Sequence, residues 1–161
     1  MMQNITLICV GKLKEKYLRD ACEEYAKRLK GFCKLNIVEI NPYRLPEKPS
    51  AGEISVALES ECKDIFQKIP NSSKVFAMCI EGKQMPSEKL AKAVYESGIQ
   101  GYSNLVFIIG GSHGLSDDIK RRADVKLSMS EMTFPHLLAR VMLLEQIYRA
   151  YQINNGGKYH K

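Results

Sequence analysis

Long apolar runs are missing from this 161-residue chain. None approaches the ~20 residues needed to cross a bilayer, so no membrane-spanning helix is expected. The opening residues, Met1-Met2-Gln3-Asn4, lack a basic segment and a small-residue cleavage site. A secretory signal is therefore not expected, and a cytoplasmic location is. There is no C-x-x-C pair, and the cysteines (Cys9, Cys22, Cys33, Cys62 and Cys79) are odd in number. That excludes a tidy disulfide framework and reads as small core hydrophobes in a reducing compartment. The histidines, His113, His136 and His160, are not spaced with cysteines as metal ligands would be, so no metal is expected. No nucleophile elbow, paired-carboxylate site or H-E-x-x-H motif occurs. If the chain is an enzyme, the reactive chemistry belongs to a bound cofactor.

What is present is ordinary for a globular protein: 45% hydrophobic and 26% charged residues. The length fits one domain, residues 1–161, at about 100–200 residues per domain. The formal charge is +6, and no acidic residue follows Glu145 while Arg149, Lys158 and Lys161 do. Positive charge beside aromatic residues suits a polyanionic partner; a merely soluble basic surface would look the same.

Strand and helix patterns alternate along the chain. Residues 4–10 (NITLICV) form an apolar run closed by Gly11, and 35–40 (LNIVEI) alternate as a strand does. Strands are also predicted over 74–80 (KVFAMCI), 105–109 (LVFII) and 125–128. Between them, Leu18, Cys22, Tyr25, Leu29 and Phe32 share a helical face, as do Ile54, Leu58, Cys62, Ile65 and Ile69. Pro42, Pro46 and Pro49 make 41–50 a loop. Ser87 and Ser116 are expected to cap further helices. The last helix is predicted to begin near Thr133 and Pro135, with Leu137, Val141, Leu144, Tyr148 and Tyr151 on its inner face. The glycine-rich tail, 154–161, is expected to be extended. This order predicts an α/β fold, a mostly parallel sheet with helices on both faces. Ligands of such sheets gather at the carboxyl ends of strands. The loops after Ile80, Ile109 and Ser128 are therefore the places for chemistry.

Gly110-Gly111-Ser112-His113-Gly114 directly follows the most apolar strand. It matches neither G-x-G-x-x-G nor a P-loop, so it is either a close approach to a nucleotide-like ligand or a tight strand-to-helix turn. In the run Met129-Ser130-Glu131-Met132-Thr133-Phe134, backbone groups could meet an adenine edge between methionine and phenylalanine walls; an ordinary loop before a helix is the other reading. His136 could serve as a general base, or be structural. Arg140 could grip a phosphate or carboxylate, or form a salt bridge. Tyr159 and His160 form an aromatic, basic tip that could stack on a base, or a frayed end.

Taken in order, Phe107 to Gly114, Leu127 to His136, Arg140, Leu144 to Ala150 and the terminal Tyr159-His160 closely resemble the small SPOUT methyltransferases of 23S rRNA, the ribosomal large subunit methyltransferase H family. The resemblance covers essentially the whole chain, including its length and the Gly11-Lys12 turn. It implies a C-terminal trefoil knot, a homodimer with each site at the subunit interface, and S-adenosyl-L-methionine bound by three knot loops. Carried over by position, the cofactor contacts fall on Met78, Gly110, Met129, Ser130, Glu131, Met132, Thr133 and Phe134. The implied reaction methylates N3 of a pseudouridine in 23S rRNA, with Arg140, His136 and His160 as candidate catalytic residues. Arg140, Tyr159 and His160 are the candidate RNA contacts. Many relatives carry an acidic residue directly after the position of Met78; here it is Cys79. Two other functions stay open: a non-catalytic ribosome-associated RNA-binding protein, and a different nucleotide-dependent enzyme.

Overall fold

The structure, a computed structural model, describes residues 2–161. Five strands, β1 (Gln3–Val10), β2 (Cys33–Ile40), β3 (Ser73–Lys83), β4 (Asn104–Ile109) and β5 (Val125–Leu127), form one sheet in the order β2-β1-β4-β3-β5. Every neighbouring pair is parallel. The connecting helices are α1 (Lys16–Leu29), α2 (Ala51–Lys68), α3 (Ser87–Ile99), α4 (Asp117–Arg122) and α5 (His136–Asn154).

The strands are near-continuous apolar runs because both faces of the sheet are covered. Their period of two splits the core. Ile5, Leu7 and Cys9 of β1 and Leu105, Phe107 and Ile109 of β4 point toward α1, α3 and α5. Ile8, Val10, Val106 and Ile108 point toward α2 and α4. Phe76 and Phe107 stack across the two central strands with centroids 4.6 Å apart. Cys9, Cys22, Cys33 and Cys62 are buried free thiols, and Cys79 is half-buried.

Several boundaries differ from the sequence expectation. Ser87 is the first residue of α3, not its cap; Pro86 holds the capping position, and the Ser87 hydroxyl donates to Gln146 Oε1 at 2.7 Å. Ser50 instead forms a full capping box with Glu53 at the start of α2. On α5 the buried face is Arg140, Leu143, Leu144, Ile147, Ala150 and Tyr151. Leu137, Val141 and Tyr148 are only half-buried. The helix is apolar nearly all round, so spacing alone could not choose its inner face. That face also contains a charge, which hydrophobic patterning ignores.

Arg140 is 2% exposed. Its Nη1 donates to Glu39 Oε2 at 2.8 Å, and its Nη2 donates to the Gly11 carbonyl at 3.0 Å. Nε is buried without a partner among the described residues. One side chain thus ties the start of α5 to the carboxyl ends of β1 and β2. Gly11 can take this position because its φ is +107°. Breaking a buried pair costs about 3–5 kcal/mol, less where one partner reaches water as Glu39 does. Arg140→Met should lower the unfolding free energy by about 2–3 kcal/mol in urea denaturation; an unchanged midpoint would show that the clamp adds nothing.

Candidate functional site

The carboxyl ends of β3, β4 and β5 enclose a cavity of about 770 Å³. This lies within the roughly 300–1,000 Å³ typical of small-molecule sites. Its shape follows from an irregularity in β3. Met78 and Lys83 both pair with Leu127, so residues 79–82 bulge out of the ladder. Gly82 makes this possible: a Cβ there would stand 2.8 Å from the Leu127 backbone. The bulge carries Cys79, Ile80 and Glu81 along one wall of the cavity.

The glycine loop forms the second wall. Gly111 and Gly114 bridge each other, the Gly114 N–H donating to the Gly111 carbonyl at 3.0 Å, with Gly114 at φ +80°. A Cβ on Gly110 would collide with the Gly114 carbonyl. Gly110 is therefore required first by the loop's own closure and only then by any ligand. Ser116 caps α4 behind the loop by accepting from the Ile119 N–H at 3.3 Å.

The third wall is the segment between β5 and α5. The Ser128 N–H donates to the Lys83 carbonyl at 3.1 Å, anchoring the segment to the bulge. The Ser128 hydroxyl donates to the Ser130 carbonyl, and the Ser130 hydroxyl accepts from the Met132 N–H, each at 3.0 Å. Met129, Ser130, Met132, Thr133 and Phe134 line the cavity together with Met78 and Gly110. Glu131 is exposed and lies outside the lining.

The three candidate catalytic residues are not brought together. His136 lines the cavity. Burial, reinforced by Arg140, pulls its pKa below the usual 6.5. Its neutral form therefore dominates at physiological pH, and a neutral imidazole can accept a proton. Arg140, one turn later, is consumed by Glu39 and Gly11. The tail is folded back, not extended. Tyr159 donates to Glu145 Oε1 at 3.1 Å and meets the Tyr148 ring edge-on at 4.9 Å. Arg149 lies 4.7 Å over the Tyr159 ring and bonds His160 Nδ1 at 3.1 Å. A guanidinium can only donate, so Nδ1 accepts and Nε2–H goes to Glu88 at 2.8 Å. Tyr159 and His160 thus sit on α3 and α5. A second cavity of about 530 Å³ lies there, lined by Tyr25, Met85, Ser87, Met142, Glu145 and others. Leu127, Ser128 and Met129 separate the two cavities.

Sequence reasoning missed Glu81, Lys120 and Glu88 as site residues, and it gave Arg149 no partner. The first two, which pair across the cavity rim, are separated in the chain by one helix and one strand, α3 and β4, and nothing local joins them. Among the described residues, no cluster of side chains could hold a metal ion. No described helix is long and apolar enough to cross a membrane.

A parallel sheet covered on both faces, with a large cavity at its carboxyl end, defines the class of protein, and comparison with known proteins gives the family. Residues 2–160 match the family model described as "Predicted SPOUT methyltransferase". The chain belongs to the SPOUT methyltransferase family. It is 51% identical over 158 residues to the ribosomal RNA large subunit methyltransferase H of Clostridioides difficile, covering 98% of this chain and 99% of that one. It is 52% identical, with the same coverage, to the protein of that name from Clostridium acetobutylicum. A solved "probable methylase family protein" from Haemophilus influenzae shares the fold at a TM-score of 0.56 and 13% identity, over all of this chain and 72% of that one.

His136 gives a pH prediction. Its folded-state pKa lies below the unfolded value, so the unfolded chain binds this proton more readily. The resulting stability is present above pH 6.5 and is lost as the pH falls toward the folded pKa. Equilibrium unfolding followed from pH 7.5 downward should show this loss, and His136→Gln should flatten it. Parallel curves for the two proteins would contradict the assignment.

Proposed function

We propose that this protein transfers a methyl group from S-adenosyl-L-methionine to N3 of a pseudouridine in 23S rRNA of the large ribosomal subunit, in the cytoplasm. The observation carrying this reading is the 51–52% identity, over 98% of the chain, to relatives named ribosomal RNA large subunit methyltransferase H. The protein acts as a single domain, its C-terminal part drawn into the trefoil knot of the family. In support, α5 returns from the edge strand β5 to pack between α1 and α3 over the centre of the sheet. A homodimer is supported by the apolar outer side of α5, where Leu138 is exposed and Val141 and Met142 are half-buried.

The cavity at the strand ends fits S-adenosyl-L-methionine in size and lining. Met78, Met129, Met132 and Phe134 offer apolar and aromatic contact for an adenine ring, and the backbone of Gly110, Met129, Ser130, Met132, Thr133 and Phe134 offers polar edges. When bound, the cofactor supplies a methyl group already activated on a sulfonium sulfur. The chain's residues must hold the acceptor in line, and orientation of this kind supplies several kcal/mol of a barrier. They must also take the imide proton, because the nitrogen is a weak nucleophile until it is lost. His136 suits that role, being on the cavity wall and kept neutral by burial. Arg140 then acts as a support, fixing the turn of α5 on which His136 sits. Tyr159, His160 and the basic surface serve the RNA, through stacking and phosphate attraction.

Purified protein, labelled S-adenosyl-L-methionine and unmethylated ribosomes should yield one methylated pseudouridine by nucleoside mass mapping. RNA binding without methyl transfer would favour the non-catalytic reading instead. In the same assay His136→Ala should lower turnover about 100-fold or more, the usual scale of a lost general base, while calorimetric affinity for the cofactor stays within about twofold. Truncation after Gly157 should likewise spare cofactor binding and cripple methylation; full turnover would remove the tail from the reaction.

A further inference from the structure

The cavity wall is almost free of formal charge. Among the described residues lining it, Glu81 is the one carboxylate and Lys120 the one ammonium, beside the imidazoles of His113 and His136. Glu81 is carried on the bulge of β3, and Lys120 on α4 behind the glycine loop. The two meet in a hydrogen-bonded ion pair at the rim. Lys120 holds the Glu81 carboxyl below its usual range, and Glu81 raises the Lys120 ammonium, so both are charged at neutral pH.

The fold does not need this pair. Half of the Glu81 side chain and a quarter of that of Lys120 reach solvent (52% and 25%), and ion pairs so placed contribute little to stability. The pair is also a complement to something. An α-amino acid end is a zwitterion, with an ammonium and a carboxylate attached to the same α-carbon. The rest of the methyl donor, a purine and a ribose, carries no negative charge and suits the methionine and phenylalanine walls. We propose that Glu81 and Lys120 form the subsite for the amino-acid end of the donor, Glu81 accepting from its α-ammonium and Lys120 donating to its α-carboxylate. This rests on the reading that the donor is S-adenosyl-L-methionine.

Two adenosine thioethers separate the parts. S-adenosyl-L-homocysteine has the amino-acid end; 5′-methylthioadenosine lacks it. In calorimetry on the full chain, Glu81→Gln and Lys120→Met should each weaken S-adenosyl-L-homocysteine about 10- to 100-fold, the scale of a lost hydrogen bond to a charged group. Affinity for 5′-methylthioadenosine should change less than about twofold. The double variant E81K/K120E restores the ion pair with its polarity reversed. Its melting temperature should match the parent, and its S-adenosyl-L-homocysteine affinity should stay low. Unchanged affinity in the single variants, equal loss for both ligands, or recovery in the reversed pair would each overturn the subsite while leaving the donor assignment intact. If the parent protein binds neither thioether, the donor assignment falls and the subsite with it.

Discussion

A single buried guanidinium organises the carboxyl end of this sheet. Arg140 reaches from α5 to Glu39, 101 positions away in the chain, and to Gly11, 129 positions away. A charge this deep is costly unless it is paired, so α5 is held to one rotation and one depth. His136 stands one turn earlier on the same helix, and the loop 128–135 ends on it. The position of the candidate base and the third wall of the cavity therefore both follow from where Arg140 finds its partners. The partial burial of His136 itself, with the Arg140 charge close by, lowers its pKa and favours the neutral imidazole.

The cavity arises from a second constraint, the misfit between β3 and β5. Because Met78 and Lys83 share one partner, the residues between them must leave the sheet, and Gly82 lets β5 pass close behind. A regular ladder would have continued through Cys79 to Gly82 and closed the space. The glycine loop completes the opposite wall by folding on itself, which explains Gly110 without any ligand. Function is thus built on departures from regular structure, each made tolerable by a glycine at the point of contact.

The sequence showed the alternation of strands and helices and the three strand-end loops, because apolar period and glycine placement are local signals. It left His136, Arg140 and His160 as equal candidates, because their roles depend on distant partners. Burial separates them. Arg140 is spent on Glu39 and Gly11, His160 is engaged by Arg149 and Glu88, and His136 faces the cavity. The inner face of α5 was misjudged for the same reason. A helix apolar on most sides gives no phase, and the decisive residue on its inner face is an arginine.

By itself the sequence determined the layered α/β class, the reduced cysteines, the basic charge and, through resemblance, the family. These depend on composition, short-range period and motif order, all carried by the chain as written. Only the tertiary structure decided that the tail folds back on α3 and α5, that Glu131 lies outside the cavity, and that Glu81 meets Lys120 across its rim. Those facts depend on which strand end comes to lie beside which helix, and no local pattern encodes that distance.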